Sequence, residues 1–338
     1  MKLLIFYFIA VIFFNYLLKK YNILNSYSGS IHQKFTNDSA TLSGGIYIFI
    51  PFIFSFFFEF SLIFLFCASL FFILGLFSDL NYLNEPKLRL FIQFIILVFF
   101  VFSLKIEVLP TRIDFIDNNF QNTFLSYFFT VFCLLILVNG SNFIDGLNGL
   151  LLGYVILILF FLFKLEILSL IDSNFINFNY FIFLLIFILI LNYFNLLFLG
   201  DNGSYSLSFI IGYLLIVIYN NSTIVSPYFI ILLLWYPCFE NLFSIIRKNI
   251  YKNDPLKADN YHLHHYLYKF VKNKFEISKL FANNLTSIII NAFNFIIFYA
   301  GSEYKNLTHV QLLLIILSIL FYFSAYFFLK NILKNKFD

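Results

Sequence analysis

Residues 60–77 read FSLIFLFCASLFFILGLF, a run without a single charged side chain. A helix needs roughly 20 predominantly apolar residues to cross the hydrocarbon of a bilayer. Backbone polar groups cannot stay unpaired in lipid, and the run lacks the alternation of a barrel strand, so we expect a membrane-spanning helix. Of the 338 residues, 62% are apolar and only 11% are charged, which excludes an ordinary soluble protein.

Similar apolar runs recur along the whole chain. They cover residues 2–18, 44–58, 60–77, 88–104, 124–138, 147–170, 178–199, 205–220, 223–246, 279–299 and 310–330, with a tight hairpin around Glu59. We therefore predict an all-α membrane protein, a polytopic bundle of about 11 transmembrane helices in a single domain over 1–338. No small-residue cleavage site follows the first run, so an uncleaved helix is expected there rather than a signal peptide.

The basic residues set the predicted orientation, because Lys and Arg collect in cytoplasmic loops. Loops after the odd-numbered spans, together with the C-terminal tail, hold most of the 21 basic residues. The other side holds only Lys2, Lys105, Arg112, Lys164 and Lys305. We expect the N-terminus outside and the C-terminus in the cytoplasm. Basic residues at membrane borders near anionic lipid account for the net charge of +4 without a nucleic-acid partner.

The three cysteines lie within or beside apolar runs and form no CxxC pair. They are Cys67, Cys133 and Cys238. We expect small buried hydrophobic side chains, with no disulfide and no thiolate metal site.

Polar clusters occupy the loops of the predicted cytoplasmic side. Gly44 and Gly45 open the second span, where glycines allow close approach of either a ligand or another helix. Asp79 closes the third span, and Lys87 and Arg89 open the fourth. A carboxylate at that depth is costly without a partner, so a metal, a phosphate relay or an ion pair is expected.

Two further clusters follow the fifth and seventh spans. Asn139, Asn142, Asp145 and Asn148 are spaced three apart, so a helical path would project all four from nearly one face. Such a face suits a hydrated metal or a sugar-nucleotide site. Asp201 stands in a glycine-bordered turn, where it could reach a diphosphate-bound Mg²⁺, a hard cation that prefers oxygen ligands.

Three histidines mark the last inside loop, at His262, His264 and His265. Zinc is one interpretation, but the spacing differs from the i to i+4 pair of helical zinc sites and no cysteine accompanies them. Donation to phosphate and sugar oxygens fits better, beside the plainer alternative of a solvated basic loop.

Five motifs in this order resemble the polyprenyl-phosphate N-acetylhexosamine-1-phosphate transferases of the glycosyltransferase 4 family. They are SGGIYIF at 43–49, SDLNYLNEPKLRLFIQ at 78–93, NGSNFIDGLNG at 139–149, GDNGS at 200–204 and HLHH at 262–265. The match runs from residue 43 to about residue 267, and the HLHH signature is typical of the hexosamine branch.

The resemblance implies transfer of N-acetylhexosamine 1-phosphate from a UDP-sugar to undecaprenyl phosphate, with release of UMP. It further implies a multi-pass protein of the bacterial inner membrane, an active site facing the cytoplasm, and a start to lipid-linked cell-surface polysaccharide synthesis. Mg²⁺, or alternatively Mn²⁺, would bridge the diphosphate. If the chain oligomerises, we expect a homodimer.

Site residues are carried over position by position. The resemblance implies that Asp201 and Asp145 are metal ligands and that Asp79 orients or deprotonates the acceptor, so these three are the catalytic candidates. The candidates for substrate binding are Asn139, Asn142, Lys87, Arg89, His262, His264, His265, Gly44 and Gly45.

Three departures from the family pattern keep alternatives open. Ser78 and Asn148 replace family carboxylates, and Glu240 stands where relatives more often have Asp. A catalytically weakened member acting as a scaffold is one alternative. A polytopic transporter is another, but it predicts polar residues within spans and an internal repeat.

Overall fold

The computed structural model describes residues 2–25, 40–108, 110–120, 122–167, 176–222, 225–252, 254 and 259–334. Within these ranges it contains thirteen helices and no β-strand. The helices are α1 Lys2–Lys20, α2 Gly44–Phe56, α3 Leu62–Asp79, α4 Pro86–Leu104, α5 Asp114–Asn119, α6 Thr123–Ile144, α7 Leu150–Lys164, α8 Ile176–Tyr193, α9 Gly200–Asn221, α10 Pro227–Ile250, α11 Leu263–Phe275, α12 Lys279–Glu303 and α13 Thr308–Lys334. The all-α prediction is confirmed.

The predicted spans coincide with helices. Within the described ranges, seven helices are long and apolar enough to cross a membrane, namely α3, α4, α6, α9, α10, α12 and α13, and α2, α7 and α8 are shorter apolar helices. The chain is therefore a multi-pass membrane protein. The number of eleven spans and the orientation of the termini stay predictions. Parts of two predicted spans, 168–170 and 223–224, lie outside the described residues.

Several helices begin at a polar residue that caps the exposed backbone. Ser61 accepts a hydrogen bond from the amide of Phe64 at 3.3 Å, and Asn122 accepts one from Phe124 at 2.9 Å. These caps satisfy amides that have no partner within the helix. The hairpin predicted around Glu59 is confirmed, since α2 ends at Phe56 and α3 begins at Leu62.

Helix α9 forms the centre of the bundle, and 89% of the residues in its 18-residue apolar stretch are buried. It packs against α2, α3 and α6. Gly75 on α3 makes one of these contacts close, because a Cβ atom there would lie 2.4 Å from backbone atoms of Asn202. The end of α3 and the start of α9 are thereby held together.

Helices α10 to α13 complete the bundle, with α10 on α6, α12 on α7, and α11 against α12 and α13. The last inside loop, between the predicted spans 223–246 and 279–299, contains helix α11, which the sequence analysis did not predict. His264, Tyr268 and Val271 are buried on α11, whereas Lys274 is exposed. The three-to-four-residue spacing of the buried side chains explains the helix.

Candidate active site

Asp201 lies at the centre of the polar residues that close one end of the bundle. Gly200, with a φ of 78°, starts α9 and places Asp201 in the first helical turn. Asn142 donates to Oδ1 of Asp201 at 2.7 Å. Ser78 donates to Oδ2 at 2.6 Å, and Nη1 of Arg89 donates to the same oxygen at 2.7 Å. Three helices thus converge on one carboxylate.

Asp79 supports Asp201 from the backbone side. Its two carboxylate oxygens accept hydrogen bonds from the amides of Asp201 and Asn202, each at 2.9 Å, and from the side chain of Asn202. A carboxylate at a helix N-terminus satisfies free amides and matches the helix dipole. The sequence left two roles open for Asp79, orienting or deprotonating the acceptor, and the engagement of both oxygens gives no support to deprotonation.

Asp145 follows directly on the end of α6. The helix ends at Ile144, and the turn after it closes on Gly149, whose φ is 73°. Asn139 and Asn142 therefore share a helical face, but Asn148 does not. The prediction that all four polar residues project from one helical face was wrong, because the turn between Asp145 and Gly149 breaks the helix.

The acidic pocket, defined as Asp79, Asp145 and Asp201, concentrates negative charge. Burial, followed by the charges of Asp201 and Asp79, raises the pKa of Asp145 well above its ordinary value. Arg89 is the cation in direct contact with Asp201. A buried carboxylate whose charged form is disfavoured gains stability from an added cation.

These residues fit a magnesium ion that arrives with a diphosphate. Mg²⁺ is commonly held by one or two carboxylates together with substrate phosphates and water, and Asp201 with Asp145 supplies that donor set. The described residues contain no group of three or more His, Cys, Asp or Glu side chains placed to hold a metal by themselves. The zinc interpretation of the histidines thus gains no support.

The histidine cluster, defined as His262, His264 and His265, lies at the start of α11. Nδ1 of His262 is 2.9 Å from Oε2 of Glu240, and the amide of Leu263 donates to Oε1 of Glu240 at 3.2 Å. Glu240 is completely buried in α10. This carboxylate therefore fixes both the imidazole of His262 and the first turn of α11.

Asp259 connects the histidine cluster to basic residues of α10. Its carboxylate pairs with Arg247 at 3.0 Å and with Lys248 at 3.9 Å, and Nε2 of His262 is 3.5 Å from it. Burial raises the pKa of Asp259, but His262 and Arg247 outweigh that effect, and the pKa is lowered. Asp259 is therefore paired with two cations, Arg247 and Lys248.

One cleft of about 280 Å³ is lined by two side chains that bond to Asp201, Arg89 and Asn142, and by two residues of the histidine cluster, His262 and His265. Its polar wall includes Arg89, Asn142, Lys248, His262 and His265, and its apolar wall includes side chains of α4, α6 and α10. The lining residues are Pro86, Arg89, Leu90, Phe132, Leu135, Ile136, Asn139, Asn142, Phe143, Gly146, Tyr205, Asn241, Ile245, Lys248, Asp259, His262 and His265. The cleft therefore offers cationic and hydrogen-bonding groups beside an apolar surface.

Other predicted binding residues lie away from the cleft. Gly44 and Gly45 donate their amides to the carbonyls of Phe198 and Leu199, and a Cβ on Gly45 would clash with α9. They serve helix packing, the alternative that the sequence left open. Lys87 is exposed outside the cleft lining.

His264 is fully buried, with Nδ1 at 3.7 Å from Glu240, and does not line the cleft. Its position supports the other two histidines rather than a ligand. Asn139 lines the cleft and donates to Gln93 at 2.9 Å.

Sequence reasoning missed three cleft residues, Asp259, Tyr205 and Asn241. Asp259 had a usable signal, because it is an acid three residues before His262 within a basic loop. Tyr205 and Asn241 lie inside apolar helices, where the sequence alone does not show which face is buried.

Cys67 is buried, as expected, whereas Cys133 and Cys238 are half-buried. Cys67, Cys133 and Cys238 are free thiols among the described residues, and none lines the cleft.

Comparison with known proteins relates this geometry to a family. The sequence model of glycosyl transferase family 4 matches residues 61–219, which contain the acidic pocket but not the histidine cluster. A probable undecaprenyl-phosphate N-acetylglucosaminyl 1-phosphate transferase of Bacillus subtilis (strain 168) is 27% identical over 209 residues, 60% of this chain. The match spans 57% of that curated relative's length. Over residues 61–219 the chain is similar to glycosyl transferase family 4.

Proposed function

We propose that the protein transfers N-acetylhexosamine 1-phosphate from a UDP-sugar to undecaprenyl phosphate at the cytoplasmic face of the bacterial inner membrane. UMP is released, and the product starts a lipid-linked cell-surface polysaccharide of the O-antigen or teichoic-acid kind. The observation that carries this proposal is the cleft lined by Arg89 and Asn142, which both bond to Asp201, together with His262, His265 and an apolar wall. The name of the Bacillus subtilis relative supports the same acceptor class.

In the proposed reaction, an oxygen of the acceptor phosphate attacks the β-phosphorus of the donor. The bond from that phosphorus to the bridging oxygen breaks, and UMP leaves with the electron pair. Phosphoryl transfer depends mainly on positioning and on neutralising charge. A bound Mg²⁺ would supply much of that neutralisation, with Asp201 and Asp145 holding it.

The remaining polar side chains of the cleft have different proposed roles. Arg89 and Lys248 line the cleft and neutralise phosphates, while His262 and His265 donate to diphosphate and sugar oxygens. Asn142 orients Asp201 through its 2.7 Å hydrogen bond. The acceptor phosphate needs no strong base, since its second pKa is about 6, which agrees with the capping role of Asp79.

The apolar wall supplies a surface for the acceptor's prenyl chain. Leu90, Phe132 and Ile245 continue from the polar wall on α4, α6 and α10. A polyprenyl chain on this surface would keep its phosphate at the polar end of the cleft.

The test is an assay of UMP release by the purified protein with undecaprenyl phosphate and a panel of UDP-N-acetylhexosamines. We expect release that requires acceptor, donor and Mg²⁺ together. Release without acceptor, or none with any donor, would overturn the proposal. The second result would favour a scaffold, for which the replacement of family carboxylates by Ser78 and Asn148 is the motivating observation.

A further inference from the structure

We propose that Asn192 is a positioning residue that ties the turn carrying Asp145 to the turn carrying Asp201. Asn283 and Asn291 of α12 complete this asparagine clamp. The proposal rests on the proposed function only for treating Asp145 and Asp201 as the working carboxylates. None of the three asparagines lines the cleft.

Asn192 uses its two polar atoms on two different turns. It lies in the last turn of α8 and is only 4% exposed. The amide of Gly149, in the turn after Asp145, donates to Oδ1 of Asn192 at 2.5 Å. Nδ2 of Asn192 donates to the carbonyl of Leu197 at 2.9 Å, just before Gly200 and Asp201. One side chain therefore bridges the two segments.

Helix α12 secures the first turn from another side. The amide of Asn148 donates to Oδ1 of Asn283 at 2.8 Å. Nδ2 of Asn291 donates to the carbonyls of Gly149 and Leu150 at 3.1 and 3.3 Å. Positions 283 and 291 are two helical turns apart and face the same way. The polar side chains of two helices thus pair the backbone of residues 148–150.

These bonds matter because the turn is buried and has left the helix. Buried backbone amides and carbonyls are almost always paired, and leaving one unpaired costs the full desolvation penalty. Loss of Asn192 would leave the Gly149 amide and the Leu197 carbonyl without this partner. Either turn would then shift to find another one, and the spacing of Asp145 and Asp201 would change.

The asparagine clamp also includes residues beyond the region that the family model matches. Asn283 and Asn291 lie in α12, after residue 219. The sequence signal is an asparagine within an apolar helix, since such a side chain is costly in lipid unless it is bonded inside the bundle.

The test compares Asn192→Ala with Asn294→Ala in detergent micelles. Asn294 is a matched control because it is completely buried and bonds to Trp235 and Ile290, away from both turns. Hydrogen exchange followed by mass spectrometry should show faster exchange in residues 145–150 and 197–201 for Asn192→Ala only. The kcat should fall about 10- to 100-fold, as for supporting residues around a metal site, with little change in KM for the donor.

The exchange measurement is independent of activity, so it decides the proposal even if the wild type transfers no sugar phosphate. Unchanged exchange in both turns would overturn the clamp. Equal losses of kcat in the two variants would do so as well, because they would indicate a general loss of packing. If Asn192→Ala does not fold, Asn283→Ala should show faster exchange confined to residues 145–150, and exchange spread over the bundle would contradict the proposal.

Discussion

The acidic pocket and the histidine cluster both contain or contact buried carboxylates, but the surroundings of those carboxylates are opposite. In the pocket, burial and neighbouring acids raise the pKa of Asp145. In the cluster, His262 and Arg247 lower the pKa of Asp259 despite its burial. The acidic pocket has three carboxylates and one contacting cation, Arg89, whereas Asp259 alone pairs with two cations, Arg247 and Lys248. The difference indicates a cation-binding end and an anion-binding end, which together suit a metal-bound diphosphate.

The two regions also differ in how they are built. The acidic pocket is assembled from helix ends, with Asp79 capping α9 and Asp145 following α6. The histidine cluster depends on one buried side chain, Glu240, inside α10. Substitutions in the two regions should therefore affect activity and stability differently.

The largest effect is expected for Asp201→Asn. Loss of the carboxylate charge should reduce Mg²⁺-dependent transfer by at least about 100-fold, the scale for removing one group that stabilises transition-state charge. UMP release by washed membranes measures it, with immunoblotting to verify membrane insertion. Asp114→Asn, at an exposed position on α5, is the matched control. Full turnover by Asp201→Asn would contradict the assignment of Asp201 as a metal ligand.

A smaller effect is expected at the anion-binding end for Lys248→Met. Lys248 is 3% exposed and lines the cleft, so its loss should raise KM for the UDP-sugar about tenfold, or about 1.4 kcal/mol of binding. Initial rates at varied donor concentration measure the change in KM, and calorimetric titration with the donor measures the change in Kd. Lys252→Met, exposed nearby, should leave KM unchanged. A loss confined to kcat would place Lys248 at the reacting centre instead.

Ser78→Asp should be tolerated, with activity within about threefold of wild type or higher. The new carboxylate restores the residue that the family pattern carries and can pair with Arg89, which now contacts both Ser78 and Asp201 at 2.7 Å. Asp201 would then be freer to bind metal. A Mg²⁺ titration of the transfer rate should show half-saturation at a lower concentration. Inactivation would indicate a site rebuilt around the hydroxyl.

The smallest expected effect is a change in thermal stability, and its sign differs between the acidic pocket and the region of Asp259. Because its pKa is raised on folding, Asp145 destabilises the fold as pH rises above the unfolded pKa, and the penalty is complete once pH exceeds the folded pKa. Asp145→Asn should therefore raise the apparent Tm by about 2 °C at neutral pH and flatten its dependence on pH. Thermal unfolding in metal-free detergent solution measures this.

Asp259→Asn provides the contrast. A lowered pKa stabilises the fold above the unfolded value and loses that contribution as pH falls through the folded pKa. This variant should lower Tm at neutral pH. A fall in Tm for both variants would contradict the proposed difference in charge.

The sequence predicted the helices and the convergence of their polar ends, because apolar length and one-sided polar loops are local signals. Asp201 and Asn142 were found together for that reason. Helix α11 was missed because its buried face has histidines and tyrosines in place of a purely aliphatic stripe.

Other features depend on contacts that no motif encodes. The capping of α9 by Asp79 requires α3 to approach within reach of Asn202, which Gly75 permits. The pairing of Arg89 with Asp201 joins residues more than a hundred positions apart. Spacing along the chain places such residues on the same end of the bundle, but it does not select their partners.

The ion pair between Arg89 and Asp201 has a consequence for assembly. The pocket contains its own counter-ion, so the chain can insert and fold before any divalent metal arrives. A chelator should then stop turnover reversibly while the bundle stays intact. The protein would be supplied to the membrane in a resting form that local Mg²⁺ and substrate convert to the working one.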